Sequence, residues 1–108
     1  MSLHMNHISV DALSERINNN SLGNAIIVDV RMPFEVRGGI VPGSVNIPMK
    51  EVPAHKDDLM KYDTVYLICQ SGGRSEMTGM ILYTDGLTQV CNVDGGTMAW
   101  REKGYEMA

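Results

Sequence analysis

Two short apolar runs limit most strongly what this chain can fold into. They are Ala25-Ile26-Ile27-Val28-Asp29-Val30 and Thr64-Val65-Tyr66-Leu67-Ile68. A strand with one wet face alternates polar and apolar residues, whereas a near-continuous run suits a strand covered on both faces. Helix-patterned segments follow both runs. Strands separated by helices need crossover connections, and crossovers give a parallel sheet. The expected fold is therefore α/β: a small three-layer domain with a central, mostly parallel sheet flanked by helices.

The remaining elements fit this frame. Ile8 to Val10 is a short apolar piece, and Ser9 or Asp11 caps a helix to about Asn18. Pro33 opens a helical turn that Gly38 and Gly39 stop. Val45-Asn46-Ile47 is a short strand, and residues 49 to 61 are helical in pieces. Arg74 to Thr84 reads as a helix with Met77, Ile81 and Met80 facing inward. Gln89 to Val93 is a third long strand, and Thr97 to Lys103 a closing helix. With 108 residues, the chain is expected to form one domain, 1–108. Residues 1–7 are set aside as a cloning remnant (Met1 to Leu3 above all) or a disordered start.

Composition excludes more than it selects. The net charge of -4 argues against nucleic acid as a partner, because phosphate binding wants a basic face. No apolar run approaches the ~20 residues that cross a bilayer, so no membrane association is expected. No signal peptide is visible at the start. Cys69 and Cys91 are too far apart for a CxxC pair and have no second pair to complete a zinc site. No metal and no cofactor are implied. Nine methionines read as gap-filling core residues. Two thiols in a small domain suggest a reduced, cytoplasmic protein. In that compartment a cysteine in a special loop is a candidate nucleophile.

Ligands of open parallel sheets bind beyond the carboxyl ends of the strands. Those places hold Arg31, then Cys69 to Arg74, then Asp94-Gly95-Gly96. The segment Cys69-Gln70-Ser71-Gly72-Gly73-Arg74-Ser75 leaves a buried strand and enters a helix. Its two glycines let the backbone curl and turn successive N–H groups to one point. The helix start adds unpaired N–H groups and partial positive charge. A thiol at this rim ionises more easily, because the thiolate gains partners that the neutral thiol lacks. The same cradle can hold a terminal persulfide sulfur or a small anion.

Four stretches together resemble the rhodanese-like domain family. Gly72-Gly73-Arg74-Ser75 matches the end of its active loop, which begins at a catalytic cysteine. Asp29-Val30-Arg31, with Glu35 beyond, resembles its Asp-Val-Arg signature. Residues 39–48 resemble its Gly-His-Ile-Pro-Gly-Ala-x-Asn-Ile-Pro stretch, with Ile40 in place of histidine. Asp94-Gly95-Gly96-Thr97-Met98-Ala99-Trp100 resembles its closing Gly-Gly-x-x-x-Trp. Order and spacing agree from about residue 8 to 105.

The resemblance implies a sulfurtransferase that works by ping-pong transfer. A small sulfur-containing anion such as thiosulfate, or another persulfide donor, passes sulfur to Cys69. A thiol acceptor, protein or small molecule, or cyanide in the test tube, takes it away. Cys69 is then nucleophile and carrier, and Gln70, Ser71, Gly72, Gly73, Arg74 and Ser75 form the substrate cradle. Arg74 either partners the anion or turns away to brace the loop. Ser75 either donates to sulfur or, by preference, caps the helix. Arg31 is expected to salt-bridge Glu35, Asp29 to fix nearby backbone, and Gly95 and Gly96 to permit close approach beside the loop. Trp100 and Cys91 read as packing residues, and a resolving role for Cys91 is disfavoured. Neutral Gln70 leaves Arg74 as the loop's only side-chain cation, so a persulfide donor is at least as well suited as thiosulfate. Two rivals stand beside this reading. Phosphatases and arsenate reductases of the same fold use Cys-x5-Arg, but Cys69 to Arg74 is Cys-x4-Arg, a smaller ring. A non-catalytic binding module usually lacks the cysteine.

Overall fold

The computed structural model describes residues 4–108, so the expectation for Met1 to Leu3 lies outside the described residues. Five strands form one sheet: β1 (Asn6–Ile8), β2 (Ala25–Asp29), β3 (Val45–Asn46), β4 (Thr64–Ile68) and β5 (Val90–Val93). Their spatial order is β1-β5-β4-β2-β3, and every pairing is parallel. Asn6 and His7 are no disordered start: they pair in register with Cys91 and Asn92.

The apolar runs alternate between two cores, as a strand covered on both faces must. Val28, Val65, Leu67 and Val90 face one cluster, with Val52, Leu59 and Leu82. Ile27, Tyr66, Ile68, Cys91 and Val93 face the other, with Leu13 and Trp100. The first face is covered by a 3-10 segment (Met49–His55), α3 (Lys56–Leu59) and α4 (Gly73–Thr84). The second is covered by α1 (Val10–Asn18) and α5 (Gly96–Glu102). α2 (Pro33–Val36) is the turn opened by Pro33. Ser9 caps α1, its hydroxyl accepting from the Ala12 N–H at 3.1 Å.

α4 corrects one expectation. Met77, Met80 and Ile81 do not face inward; they are about half exposed. The inward stripe is Ser75, Thr78, Gly79 and Leu82. The helix lies so near the sheet that small residues must face it. A Cβ on Gly79 would collide with the Met5 thioether and come within 3.3 Å of Leu67 Cδ1. Hydrophobicity alone therefore pointed to the wrong face.

Candidate active site

β4 delivers Cys69 to the centre of the sheet's carboxyl edge, with β2 and β5 on either side. The chain then turns through Gly72, whose φ of +103° is a left-handed conformation that glycine adopts without penalty. Gly72 is the N-cap of α4, so Ser75 lies inside the first turn and is not the cap. The turn aims donors at a single atom. The Gly72 N–H donates to Cys69 Sγ at 3.1 Å and the Ser75 N–H at 3.4 Å. The Ser75 hydroxyl lies 3.4 Å from the same sulfur and 3.2 Å from the Gly72 carbonyl oxygen.

Cys69 is only 1% exposed. Burial pushes its thiol pKa up, but hydrogen bonds from the Ser75 hydroxyl and from the Ser75, Gly72 and Ser71 N–H groups outweigh it. The balance holds the thiol below its ordinary value. Cys91 offers a contrast on the next strand. It lacks these donors, and burial pushes it up to about 11. Both cysteines are free.

Arg74 turns away from the sulfur. Its guanidinium grips Glu35 of α2 at two points, Nη1 to Oε1 at 2.7 Å and Nη2 to Oε2 at 2.8 Å. Glu35 also accepts from the Met32 N–H at 3.0 Å, so one carboxylate joins the start of α2 to the Cys69 loop. The Arg74 partnership, set against burial, holds Glu35 at about 2. The expected Arg31–Glu35 salt bridge is thus replaced. Arg31 reaches Glu35 only at its backbone carbonyl, 3.3 Å away. Its charge meets buried Asp29 instead, through Nη2 to Oδ2 at 2.8 Å and Nε to Oδ1 at 3.0 Å. Arg31 also donates to the Gly39 carbonyl at 2.9 Å, which pins the loop after α2. Neither Asp29 nor Arg31 hydrogen-bonds the sulfur, whose donors are Gly72 and Ser75, and Arg31 lines the cleft outside the loop.

α5 holds the loop from the other side. The N–H groups of Thr97 and Met98 donate to the Cys69 and Gln70 carbonyls, both at 2.9 Å. Gly96 makes this approach possible. A Cβ there would stand 2.5 Å from the Gln70 carbonyl oxygen and closer still to that of Cys69. Thr97 and Met98 stood in the sequence only as part of the closing stretch; their hold on the loop is made by backbone groups, which carry no signature of residue type. Asn92, whose amide lies 3.4 Å from the Gly72 carbonyl oxygen, was not singled out either. Its signal was present: an amide inside the apolar strand Val90-Cys91-Asn92-Val93.

Outside the loop lies an open cleft of about 550 Å³, walled by Phe34, Gln70, Met98 and Arg101 among others. Phe34 is 67% exposed at its rim. Among the described residues, no cluster of His, Cys, Asp or Glu could hold a metal ion. No helix among them is long and apolar enough to cross a membrane.

Comparison with known proteins agrees with this architecture. The family model "Rhodanese-like domain" matches residues 9–103. A sulfurtransferase of Allochromatium vinosum is 31% identical over 100 residues, covering 93% of this chain and 92% of that protein. A putative sulfur carrier protein of Bacillus subtilis, YrkF, is 35% identical over 96 residues, 89% of this chain but 51% of the relative. The crystal structure of a rhodanese-related protein from Thermoplasma volcanium superposes with a TM-score of 0.82 at 30% identity, covering 95% of this chain and 97% of that one.

Proposed function

The chain belongs to the rhodanese-like domain family, and from that premise we propose that it is a sulfurtransferase carrying sulfane sulfur as a persulfide on Cys69. One observation carries the reading: the Gly72 and Ser75 N–H groups and the Ser75 hydroxyl converge on the single Sγ of Cys69.

The chemistry follows from that convergence. The Cys69 thiolate attacks the outer sulfur of a donor, such as thiosulfate or an organic persulfide. The donor's S–S bond breaks, and its inner sulfur leaves with the bonding electrons as sulfite or a thiolate. Cys69 now carries a persulfide anion, which the surrounding N–H donors stabilise. An acceptor thiolate attacks the outer sulfur and departs as a new persulfide, which restores the Cys69 thiolate. No net oxidation occurs and no metal or cofactor enters.

The position of Arg74 supports sulfur over phosphate. Its guanidinium is engaged with Glu35 outside the ring, so it does not close the loop around a tetrahedral oxyanion. The same fact bears on the donor. With Gln70 neutral and Arg74 paired, thiosulfate serves as the assay substrate, and an organic or protein persulfide is at least as well suited as the natural one. Two free thiols fit a reducing compartment such as the cytoplasm.

Intact-mass measurement after exposure to thiosulfate or a small organic persulfide tests the reading. A gain of about one sulfur (~32 Da), reversed by a reductant and absent in Cys69→Ser, is expected. No adduct with any sulfane donor would reject it.

A further inference from the structure

Asn92 is the one buried side chain among the described residues that is left with an unpartnered polar atom, its Oδ1. It is 1% exposed, in register between Leu67 of β4 and His7 of β1. It shares its face with Val90, which packs into the hydrophobic cluster on that side of the sheet. Burying an amide costs stability unless every polar atom is bonded. An aliphatic residue would serve packing better here. The amide therefore answers some other need.

Its donors show what that is. Asn92 Nδ2 donates to the Asp94 carboxylate at 3.0 Å and lies 3.4 Å from the Gly72 carbonyl oxygen. Asp94 Oδ1 is itself 2.7 Å from His7 Nδ1, so the amide is anchored on its far side. The Gly72 carbonyl also receives the Glu76 N–H at 3.0 Å, the first bond of α4. One residue thus touches the amide with its carbonyl and presents to Cys69 Sγ the shortest of its hydrogen bonds, at 3.1 Å. Gly72 also packs against the end of β5 and the turn into α5: a Cβ there would meet the Gly95 nitrogen at 3.3 Å, the Val93 carbonyl oxygen at 3.8 Å and Asn92 Nδ2 at 3.9 Å.

We infer that Asn92 is a positioning residue: anchored by Asp94, its amide holds Gly72 so that the Gly72 N–H stays aimed at the sulfur of Cys69. It acts through Gly72 and touches neither substrate nor sulfur. The inference rests on the persulfide reading for what the sulfur carries, but the thiol itself can be probed without a donor.

The experiment is the pH profile of Cys69 alkylation by iodoacetamide, read by peptide mass spectrometry, in Asn92→Leu, Asn92→Ala and Val90→Ala. Loss of the amide is expected to move the midpoint to higher pH and slow alkylation near neutrality about three- to tenfold. Asn92→Leu should melt no lower than the parent, since it removes an unsatisfied buried group. Val90→Ala, on the same strand and face, should melt lower with an unchanged midpoint. Asn92→Ala serves if the leucine does not fit. A parental midpoint in a folded Asn92 variant, or an equal shift in Val90→Ala, overturns the inference. A shift with no sulfur uptake by the parent protein would instead leave Asn92 its role and remove the sulfurtransferase reading.

Discussion

Arg74 and Glu35, 39 residues apart in sequence, meet in a two-point ion pair of 2.7 and 2.8 Å that ties the Cys69 loop to α2. The pair uses up the loop's one cation as a brace. What stabilises negative charge on Cys69 is then mostly uncharged: peptide N–H groups and one hydroxyl. Such donors are fixed by the backbone and need no reorganisation when charge appears.

The brace should titrate. Glu35 has its pKa lowered from 4.5 to about 2, chiefly by the Arg74 hydrogen bonds. A folded pKa below the unfolded one means that the stabilisation is fully present above about 4.5 and is lost as pH falls toward 2. Part of the guanidinium is exposed, so solvent screening limits the pair to about 1 kcal/mol. Urea unfolding at pH 7, 4 and 2.5 should show Glu35→Gln less stable than the parent at pH 7, with the gap closing at the lowest pH. A constant gap would show that the carboxylate's charge is not what Arg74 needs.

The Ser75 hydroxyl is one of several donors to the sulfur, so its removal should weaken the site without abolishing it. Ser75→Ala is expected to move the Cys69 alkylation midpoint to higher pH and to slow persulfide formation at neutral pH about three- to tenfold. An unchanged midpoint would assign the hydroxyl to the Gly72 carbonyl alone.

Two glycines should respond in opposite ways to alanine. Gly96 has φ +60° and its added methyl would strike the Cys69 and Gln70 carbonyls, which are backbone and cannot swing aside. Gly96→Ala should cost about 3 kcal/mol and lower sulfur transfer about tenfold or more by displacing the loop. Gly73 has ordinary helical φ and nothing within 4 Å of its missing Cβ. Gly73→Ala should fold like the parent, or melt slightly higher. Thermal melts and a single-turnover assay separate the two.

What the sequence revealed was what depends on local pattern. The runs at 25–30 and 64–68 announced β2 and β4, and the strand rule placed Cys69 at the sheet's edge. What it hid was pairing at a distance. Arg31 and Glu35, four apart, looked like natural partners, yet Arg31 found Asp29 beside it and Glu35 found Arg74 from another element. Arg74 itself allowed two readings, and only three-dimensional proximity to α2 decides between them. The inward face of α4 was hidden for a different reason. Close packing selects Gly79, Ser75 and Thr78 over bulk, so the apolar signal marked the outer face.

That outer face yields a stability contrast. Ile81 is 53% exposed and Leu82 1%. Ile81→Lys should change stability by about 0.5 kcal/mol or less, whereas Leu82→Ala should cost about 2–4 kcal/mol. Chemical denaturation of both variants checks the assignment. A large loss in Ile81→Lys would restore the inward reading of that stripe.

The two cysteines should be chemically unequal in the native protein. Cys69 sits among donors that hold its thiol below its ordinary value, while burial without such donors raises Cys91 to about 11. Cys69 therefore carries the larger thiolate fraction of the two at any pH where they differ, and the thiolate is the reactive form. One equivalent of a small alkylating agent should therefore label Cys69 alone, and Cys91 should react only after unfolding. The same reasoning limits loading: persulfidation should stop at one sulfur per chain, and Cys91→Ala should take up sulfur at the parent's rate. Peptide mapping of the labelled protein and the rate of mass gain in the variant read these outcomes. Equal labelling of both thiols, or a Cys91→Ala protein that no longer turns over, would give Cys91 a part in the reaction beyond packing.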